Sequence, residues 1–296
     1  MAVVLATGLS VGIILIDNKE KVPEISKPVL MGTAVLAAIL VVSQGMQMAT
    51  ARQSSPLSDN WAEAYKYLRT QTPKDAVVGT WWDPGHRIAA IAQRRNIADG
   101  AHCPEEDCDP GLNTRITHLG KILVTKNEDE AVRLLEKYRG NASEMYWIAS
   151  QDLIGKYQWP QYFGTGCRGG QQCPLYSMMR VQNQQQNSIM YQGGVSLQFQ
   201  NDTVIPVLET QRGRRIFETM YMYGRDGELT KKSFSQYNNT FSGTLWVHPR
   251  YSFVVYIPEF QKDSIFSRMF FFEGRNLDHF KQVFRNNYVK IYKLKE

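Results

Sequence analysis

Two short runs of residues combine charge with side chains that could recognise a ligand. Trp81, Trp82 and Asp83 are consecutive, and Asp152 lies four positions before Lys156. An ionised aspartate accepts the proton of a hydroxyl group, while an indole or backbone N–H donates to the hydroxyl oxygen. A site with these partners rejects an analogue without the hydroxyl, because its own buried polar groups would then be unpaired. The first run is therefore compatible with a site that holds a hydroxyl group, but taken alone it is more typical of the structural role described next.

Both runs also have a purely structural interpretation. Two tryptophans at the end of a strand can be core aromatics, and an aspartate before a proline and a glycine is a common turn residue. Asp152 and Lys156 are spaced so that they share one helical face and can pair with each other. The alternative is an acid that favours the first turn of a helix, followed by a solvated lysine.

The four cysteines form two close pairs in polar loops, Cys103 with Cys108 and Cys167 with Cys173. Two local disulfides fit an oxidising exterior. A zinc site with four cysteines is the alternative, but the usual spacer of two residues within each pair is missing. The sequence favours disulfides and leaves the connectivity open.

Alternating strands and helices must position the two charged runs. Residues 76–82 and 145–149 are predicted strands, and helices are expected around residues 61–68, from about 88, from about 127 and around 152–156. This order predicts an open α/β layer, in which ligands gather beyond the carboxyl ends of the strands. Asp83 and Asp152 are each predicted at such an end.

From about residue 185 the pattern changes to short apolar or alternating segments that are typical of strands. The tail is predicted to be β-rich, with one helix near Leu277 to Phe284. We therefore divide the chain into residues 1–50, an α/β domain over residues 51–184 and a β-rich C-terminal domain over residues 185–296.

Residues 2–16 and 28–48 are two apolar stretches separated by a charged loop. The second approaches the roughly 20 residues that cross a bilayer as a helix. The first is shorter and begins at Met1, so we expect a transmembrane hairpin that ends a larger membrane domain. Three lysines in the loop place it on the cytoplasmic side, which predicts a cell-membrane protein whose chain is extracytoplasmic from about residue 51.

The formal net charge of +6 does not choose among partners. It could serve nucleic acid, an anionic membrane surface or an anionic lipid-linked substrate. The densest basic run, residues 212–215, has no RNA-recognition signature around it. No nucleic-acid partner is predicted.

The segment around Trp81, Trp82 and Asp83 resembles the Trp-Trp-Asp-Tyr-Gly signature of oligosaccharyltransferase catalytic subunits, with Pro84 in place of the tyrosine. The order of several other landmarks is also similar to that family, and they are residues 61–69, 72–78, 95–100, 131–138, 151–156, 269–274 and 279–281. The chain resembles the C-terminal part of archaeal-type, single-subunit members of the family.

The resemblance implies a part in N-glycosylation, the transfer of a lipid-linked oligosaccharide to Asn in Asn-x-Ser/Thr sequons. By position, Trp81, Trp82 and Asp83 would hold the hydroxyl of the +2 residue, and Asp152 with Lys156 would help to enclose it. A Met or Ile that normally accompanies this second motif is not assigned. The implied partners are an acceptor polypeptide, the lipid-linked oligosaccharide and the membrane.

Catalysis in this family implies a divalent cation, Mn²⁺ or Mg²⁺, held by loops between earlier transmembrane helices. We expect no catalytic or metal-binding residue within this chain, which leaves a fragment, a split gene whose partner supplies the membrane half, or a non-catalytic relative. The competing hypothesis is a membrane-anchored α/β binding or adhesion module with no catalytic ancestry.

Overall fold

A computed structural model of the chain describes residues 58–101, 110–167, 173–201 and 203–295. Residues 59–295 belong to one compact unit. None of the helices in these ranges combines the length and the apolar character that a membrane crossing needs. The hairpin predicted over residues 1–50 lies outside the described residues.

The order of the elements alternates between helices and strands up to residue 165 and is mostly β afterwards. The helices are α1 (Asp59–Gln71), α2 (Gly85–Arg87, continued by a π-helical turn Ile88–Ala92), α3 (Leu112–Val124), α4 (Glu128–Glu136), α5 (Asp152–Lys156), α6 (Gln158–Thr165) and α7 (Ile265–Phe270). The strands are β1 (Val77–Gly79), β2 (Arg95–Asn96), β3 (Met145–Ser150), β4 (Ser177–Gln185), β5 (Ser188–Tyr191), β6 (Val195–Gln200), β7 (Thr203–Thr210), β8 (Gly213–Tyr223), β9 (Leu229–Ser233), β10 (Thr240–Val247), β11 (Phe253–Ile257), β12 (Phe280–Arg285) and β13 (Val289–Leu294).

The first sheet has the strand order β12-β13-β3-β1-β2. Strands β2, β1 and β3 are parallel, and Gly79 of β1 pairs with Trp147 of β3. All six residues of β3 are buried, as expected for a central parallel strand. The carboxyl ends of β1 and β3 therefore lie side by side, which is the geometry that the sequence predicted for Asp83 and Asp152.

The second sheet has eight strands in the order β10-β11-β4-β5-β6-β7-β8-β9, and neighbouring strands in this order are antiparallel. A parallel pairing between β8 and β10 closes seven of them into a ring, with β9 alongside β8. Its buried apolar residues include Leu197, Phe217, Met220 and Val254. The mixed α/β class with a β-rich C-terminal part is thus confirmed, while the division at residue 184 stays a prediction.

Two features of the tail differ from the sequence prediction. The prediction of a helix near Leu277 to Phe284 is wrong, because Phe280–Arg285 is strand β12 and pairs with β13. Through β13, which is antiparallel to β3, these two strands return to the first sheet. The helix of this region is α7, whose residues are buried on nearly every side, so it lacks the one-sided pattern that identifies a helix in a sequence.

A cluster of aromatic rings joins α7 and the residue after it to the second sheet and to the end of α5. Phe271 lies 5.2 Å from Tyr176 and 5.4 Å from Trp246 between ring centroids, and Phe266 lies 5.3 Å from Tyr157. Tyr157, directly after α5, also donates a hydrogen bond to the carbonyl of Leu123 at 3.1 Å. Aromatic contacts of this kind stabilise a fold beyond the effect of the apolar area that they bury. The cluster therefore anchors the end of α5 in the core.

His248 makes the stability of the fold depend on pH. The side chain is buried, its ring stacks on Phe253 at 4.4 Å, and its Nδ1 lies 2.9 Å from the hydroxyl of Ser252. Burial lowers the pKa of His248 from 6.5 to about 4. The unfolded chain takes up this proton below pH 6.5 and the native chain does not, so stability falls as pH decreases from 6.5 to 4.

We expect His248→Asn to reduce that fall in the free energy of unfolding by up to about 3 kcal/mol. Asparagine keeps an acceptor and does not titrate. The measurement is urea denaturation of the full chain between pH 7 and pH 4, with the exposed His86 replaced by Asn as the control. Equal pH dependence in the wild type and in His248→Asn would contradict the assignment.

Candidate functional site

The loop after β1 separates its two tryptophans. Trp81 is only 2% exposed, and its ring lies 6.1 Å from that of Phe163 in the core. Trp82 and Asp83 are partly exposed and line an open groove. The Trp81 side chain thus fixes the loop to the core, and its neighbours face the groove.

Two glycines allow this loop to pack closely. A Cβ at Gly85 would lie 2.3 Å from the carbonyl oxygen of Ala98, and Asn96 donates to the Gly85 carbonyl at 3.0 Å. Gly100 has a φ of +78°, and a Cβ there would lie 2.9 Å from the Trp82 ring. The strand β2 and the segment after it therefore support the loop from one side and set the position of the Trp82 ring.

Helix α5 brings the second predicted pair to the same place. It begins directly after β3, and Lys156 Nζ lies 3.3 Å from Asp152 Oδ2 within the helix. The same ammonium group donates to Asp83 Oδ2 across the groove. One cation thus joins two carboxylates from the ends of neighbouring parallel strands.

The charge of Lys156 is stabilised by this arrangement. Burial by itself would lower the pKa of Lys156, but the hydrogen bond that Lys156 donates to Asp83 and the negative charges of Asp152 and Asp83 outweigh burial, and the pKa is raised. The lysine therefore remains protonated at neutral pH. Since its side chain is 43% exposed, solvent screens the pair and its contribution to stability is modest.

The groove has a volume of about 360 Å³. It is lined by Trp61, Trp82, Asp83, Pro84, Arg87, Asp152 and Lys156. Four of the five predicted site residues thus meet here, and Trp81 is absent from the lining.

Trp61 and Arg87 are lining residues that the sequence did not single out. Trp61 lies in the helix predicted around residues 61–68, and its ring packs on Tyr65 at 5.2 Å between ring centroids. Tyr65 is fully buried, which raises its pKa, and the Arg87 guanidinium opposes that rise. The sequence feature that could have indicated Arg87 as a groove residue is its position four residues after Asp83.

The arrangement leaves hydrogen-bonding capacity unused. Lys156 contacts only Oδ2 of Asp83, so Oδ1 has no partner among the residues that the structure describes. The ammonium group of Lys156 has three N–H bonds and contacts two carboxylates. Asp83 Oδ1 and one N–H of Lys156 are therefore an acceptor and a donor close together at the groove, and Asp152 Oδ1 is a further acceptor that is buried without a partner among the described residues.

The structure records a disulfide between Cys167 and Cys173 just after α6. Their Cα atoms lie 6.3 Å apart. The other predicted pair, Cys103 and Cys108, lies outside the described residues.

Known proteins give an independent comparison. No protein-family model matches the chain. A rice protein (Oryza sativa subsp. japonica), dolichyl-diphosphooligosaccharide–protein glycosyltransferase subunit STT3B, is 31% identical over 112 residues, 36% of this chain and 14% of that protein. The dolichyl-phosphooligosaccharide-protein glycotransferase 1 of Pyrococcus furiosus is 30% identical over 115 residues, 36% of this chain and 12% of that protein. Over these stretches the chain is similar in sequence to oligosaccharide–protein glycosyltransferases.

The fold agrees with this relationship. The crystal structure of the C. jejuni PglB C-terminal domain matches with a TM-score of 0.55 at 13% identity, over 79% of this chain and 99% of that chain. At such identity the similarity concerns the fold alone. Together with the sequence relatives, it disfavours an adhesion module without oligosaccharyltransferase ancestry. The matched stretches span less than a sixth of the two relatives, so the activity of the whole enzyme is a matter for proposal.

The close approach at Gly85 gives a test of the loop geometry. Gly85→Ala would force a methyl group against the Ala98 carbonyl and the Asp99 backbone. We expect a loss of about 1–3 kcal/mol in the free energy of unfolding, as for other overpacked positions.

Gly155→Ala is the matched control on the other side of the groove. No atom lies within 4 Å of the added Cβ, and the residue is helical. We expect this change to be neutral or to stabilise by up to about 1 kcal/mol. Urea denaturation of both variants checks the prediction, and similar stability for the two would refute the described packing at Gly85.

Proposed function

We propose that residues 59–295 recognise the acceptor sequon for an oligosaccharyltransferase. In this proposal the groove holds the hydroxyl group of the Ser or Thr at position +2 of Asn-x-Ser/Thr. The observation that carries it is the meeting of Asp83 and Lys156 at an open groove, one from the end of each of two parallel strands. The relatives of the chain support the choice of this reaction.

The unused bonding capacity fits a hydroxyl group. The hydroxyl proton of Ser or Thr is donated to Asp83 Oδ1, while the remaining N–H of Lys156 donates to the hydroxyl oxygen. Both groups are charged, and hydrogen bonds to charged groups are stronger than neutral ones. A peptide with alanine at +2 displaces water from the groove but leaves both charged groups without a hydrogen-bond partner. The resulting loss of binding free energy is the basis of selectivity.

The aromatic residues of the groove support the peptide chain itself. Trp82 and Trp61 offer apolar faces beside the charged groups. Trp81 is a positioning residue in this proposal, because its buried ring holds the loop. Arg87 adds a cation at the same edge. The site thus has one polar contact for the hydroxyl group and flat surfaces for the rest of an extended chain.

The transfer step itself is proposed to lie elsewhere in the enzyme. Within residues 58–101, 110–167, 173–201 and 203–295, no group of three His, Cys, Asp or Glu side chains could hold a metal ion. Asp83 and Asp152 are bridged by the Lys156 ammonium, so this carboxylate pair does not suit a second cation. The Mn²⁺ or Mg²⁺ implied by the family, and the site for the lipid-linked oligosaccharide, are therefore assigned to polypeptide outside these residues.

The membrane segment belongs to the same proposal. Residues 1–50 are proposed as two transmembrane helices that hold residues from about 51 onward at the extracytoplasmic surface. Such an anchor keeps the groove near a membrane-bound donor. Adding a separate membrane part and measuring glycosylation of a sequon peptide tests whether the chain takes part in catalysis or is a non-catalytic relative.

Photo-cross-linking tests the hydroxyl contact. A peptide with Asn-Val-Thr and an adjacent diazirine, and its Asn-Val-Ala analogue, are irradiated with the full chain in detergent. We expect the Thr peptide to label groove residues at least about tenfold more strongly, because it alone makes the charge-assisted hydrogen bonds. Asp83→Asn should lower labelling by the Thr peptide to the level of the Ala peptide.

Asp129→Asn is the control for the charge change. Asp129 is 83% exposed on α4, away from the groove, and its loss should leave labelling unchanged. If the wild-type chain is labelled equally by the Thr and Ala peptides, the proposed hydroxyl contact is wrong. Labelling that maps outside the groove would equally reject the assignment of these residues.

A further inference from the structure

A second cavity, the Lys290 cavity, lies where the turn after β8 meets the turn between β12 and β13. Its volume is about 500 Å³. It shares no lining residue with the groove at Asp83. Its polar lining includes Tyr223, Arg225, Glu273, Arg285 and Lys290. The proposed sequon contact does not use any of these residues.

Two cations in the wall of this cavity share one carboxylate. Arg285 Nη1 lies 2.9 Å from both oxygens of Glu273, and Lys290 Nζ lies 3.4 Å from Glu273 Oε1. The hydroxyl of Tyr223 also donates to Glu273 Oε1 at 2.9 Å. The cluster therefore carries one positive charge in excess, and Arg225 at the rim adds another.

Burial makes this excess charge costly. Only 5% of the Lys290 side chain is exposed, and burial lowers the pKa of Lys290 to about 8, although Glu273 opposes the change. Its ammonium group already donates to the Phe270 carbonyl at 2.7 Å and contacts Tyr223 and Glu273. Lys290 thus contributes charge and no free N–H bond. An anion in the cavity would offset the cost of burying that charge.

Arg285 has the geometry to contact such an anion. It binds Glu273 through Nη1 alone, so Nε and Nη2 have no partner within the described part of the chain. These two nitrogens form one edge of a planar fork that matches a carboxylate or a phosphate. The side chain is 44% exposed, so a ligand can reach this edge.

The apolar part of the lining is mainly aromatic, and it lies beside Pro249 and the amide side chains of Asn286 and Asn287. Trp246, Tyr251 and Phe270 line it together with Tyr223. Trp246 is 2% exposed, and its indole N–H has no hydrogen-bond partner among the described residues. A concave lining that combines aromatic side chains with charged groups is compatible with a small-molecule site.

The backbone at the cavity is held in an unfavourable conformation. Tyr251 has a φ of +56° and Glu273 a φ of +54°, a region that residues other than glycine rarely adopt. Strain of this kind is often found at binding sites, where it positions a side chain. Here it directs one aromatic and one acidic residue to the same cavity.

We propose that the Lys290 cavity is a second ligand-binding site for a small molecule with a carboxylate or phosphate group on a flat apolar body. The oxyanion contacts the free edge of Arg285, and the flat body lies against Tyr251 and the neighbouring rings. Binding at this site is independent of sequon recognition, so the two proposals can fail separately.

Fluorine NMR of the full chain in detergent tests the proposal with three probes. They are 4-fluorobenzoate, 4-fluorophenyl phosphate and the uncharged 4-fluorobenzyl alcohol. We expect at least one of the two anions to bind at least about tenfold more tightly than the alcohol, as a charge-assisted contact requires. Comparison of the two anions shows which oxyanion the site takes.

Matched variants locate the binding. Arg285→Gln should lower the affinity for the anion at least about tenfold. Arg214→Gln is the matched control, because Arg214 is also paired with a glutamate and is 50% exposed. This variant should leave the affinity for the anion unchanged. Tyr251→Asn removes the ring and keeps a residue that tolerates positive φ, and it should also weaken binding. No anion binding, equal binding of the alcohol, or equal loss in Arg285→Gln and Arg214→Gln would each overturn the proposal.

Discussion

The candidate site depends on one interaction, the contact of the Lys156 ammonium with the carboxylates of Asp83 and Asp152. Without the cation, two carboxylates would face each other at a partly buried edge, and their repulsion would oppose the close approach of the two loops. With it, the loop after β1 and the helix after β3 are joined across the groove. The charge pattern therefore holds the two sides of the groove together and also leaves Asp83 Oδ1 and one N–H of Lys156 for a ligand.

The scaffold around this contact explains why it can be held in position. Parallel pairing of β1 with β3 places their carboxyl ends together, and the buried β3 allows little movement. The aromatic cluster around Phe266 and Phe271 fixes Tyr157 at the end of α5. The C-terminal strand β13 pairs with the other side of β3. Residues far apart in the sequence thus hold the five-residue helix α5 in position.

Much of the site could be predicted because its information is local. The spacing of Asp152 and Lys156 requires a shared helical face, and Asp83 follows a short apolar strand. The same reasoning could not separate the roles of adjacent tryptophans, because a three-residue strand is too short for its alternation to fix which ring points inward. The helical pattern around Trp61 likewise gives no sign that its side chain also lines a groove.

Other parts of the fold depend on contacts that the sequence does not reveal. Helix α3 was not predicted, and its polar residues and Gly120 interrupt the apolar pattern. The closure of the second sheet rests on a parallel pairing between β8 and β10, which are not consecutive strands. The charge cluster in the Lys290 cavity joins residues from four different elements or turns. Such long-range pairings are set by the packed structure and not by local propensity.

Pro84 shows why a departure from a family signature need not change a site. The residue lacks an N–H bond, yet its position just before α2 is one where a helix needs no such donor. Its carbonyl accepts from Arg87 and Ile88 at 3.0 Å, and Gly85 donates to the Trp82 carbonyl at 3.0 Å. The turn after Asp83 is therefore closed by backbone groups that proline retains. The proline ring itself lines the groove beside the carboxylate of Asp83.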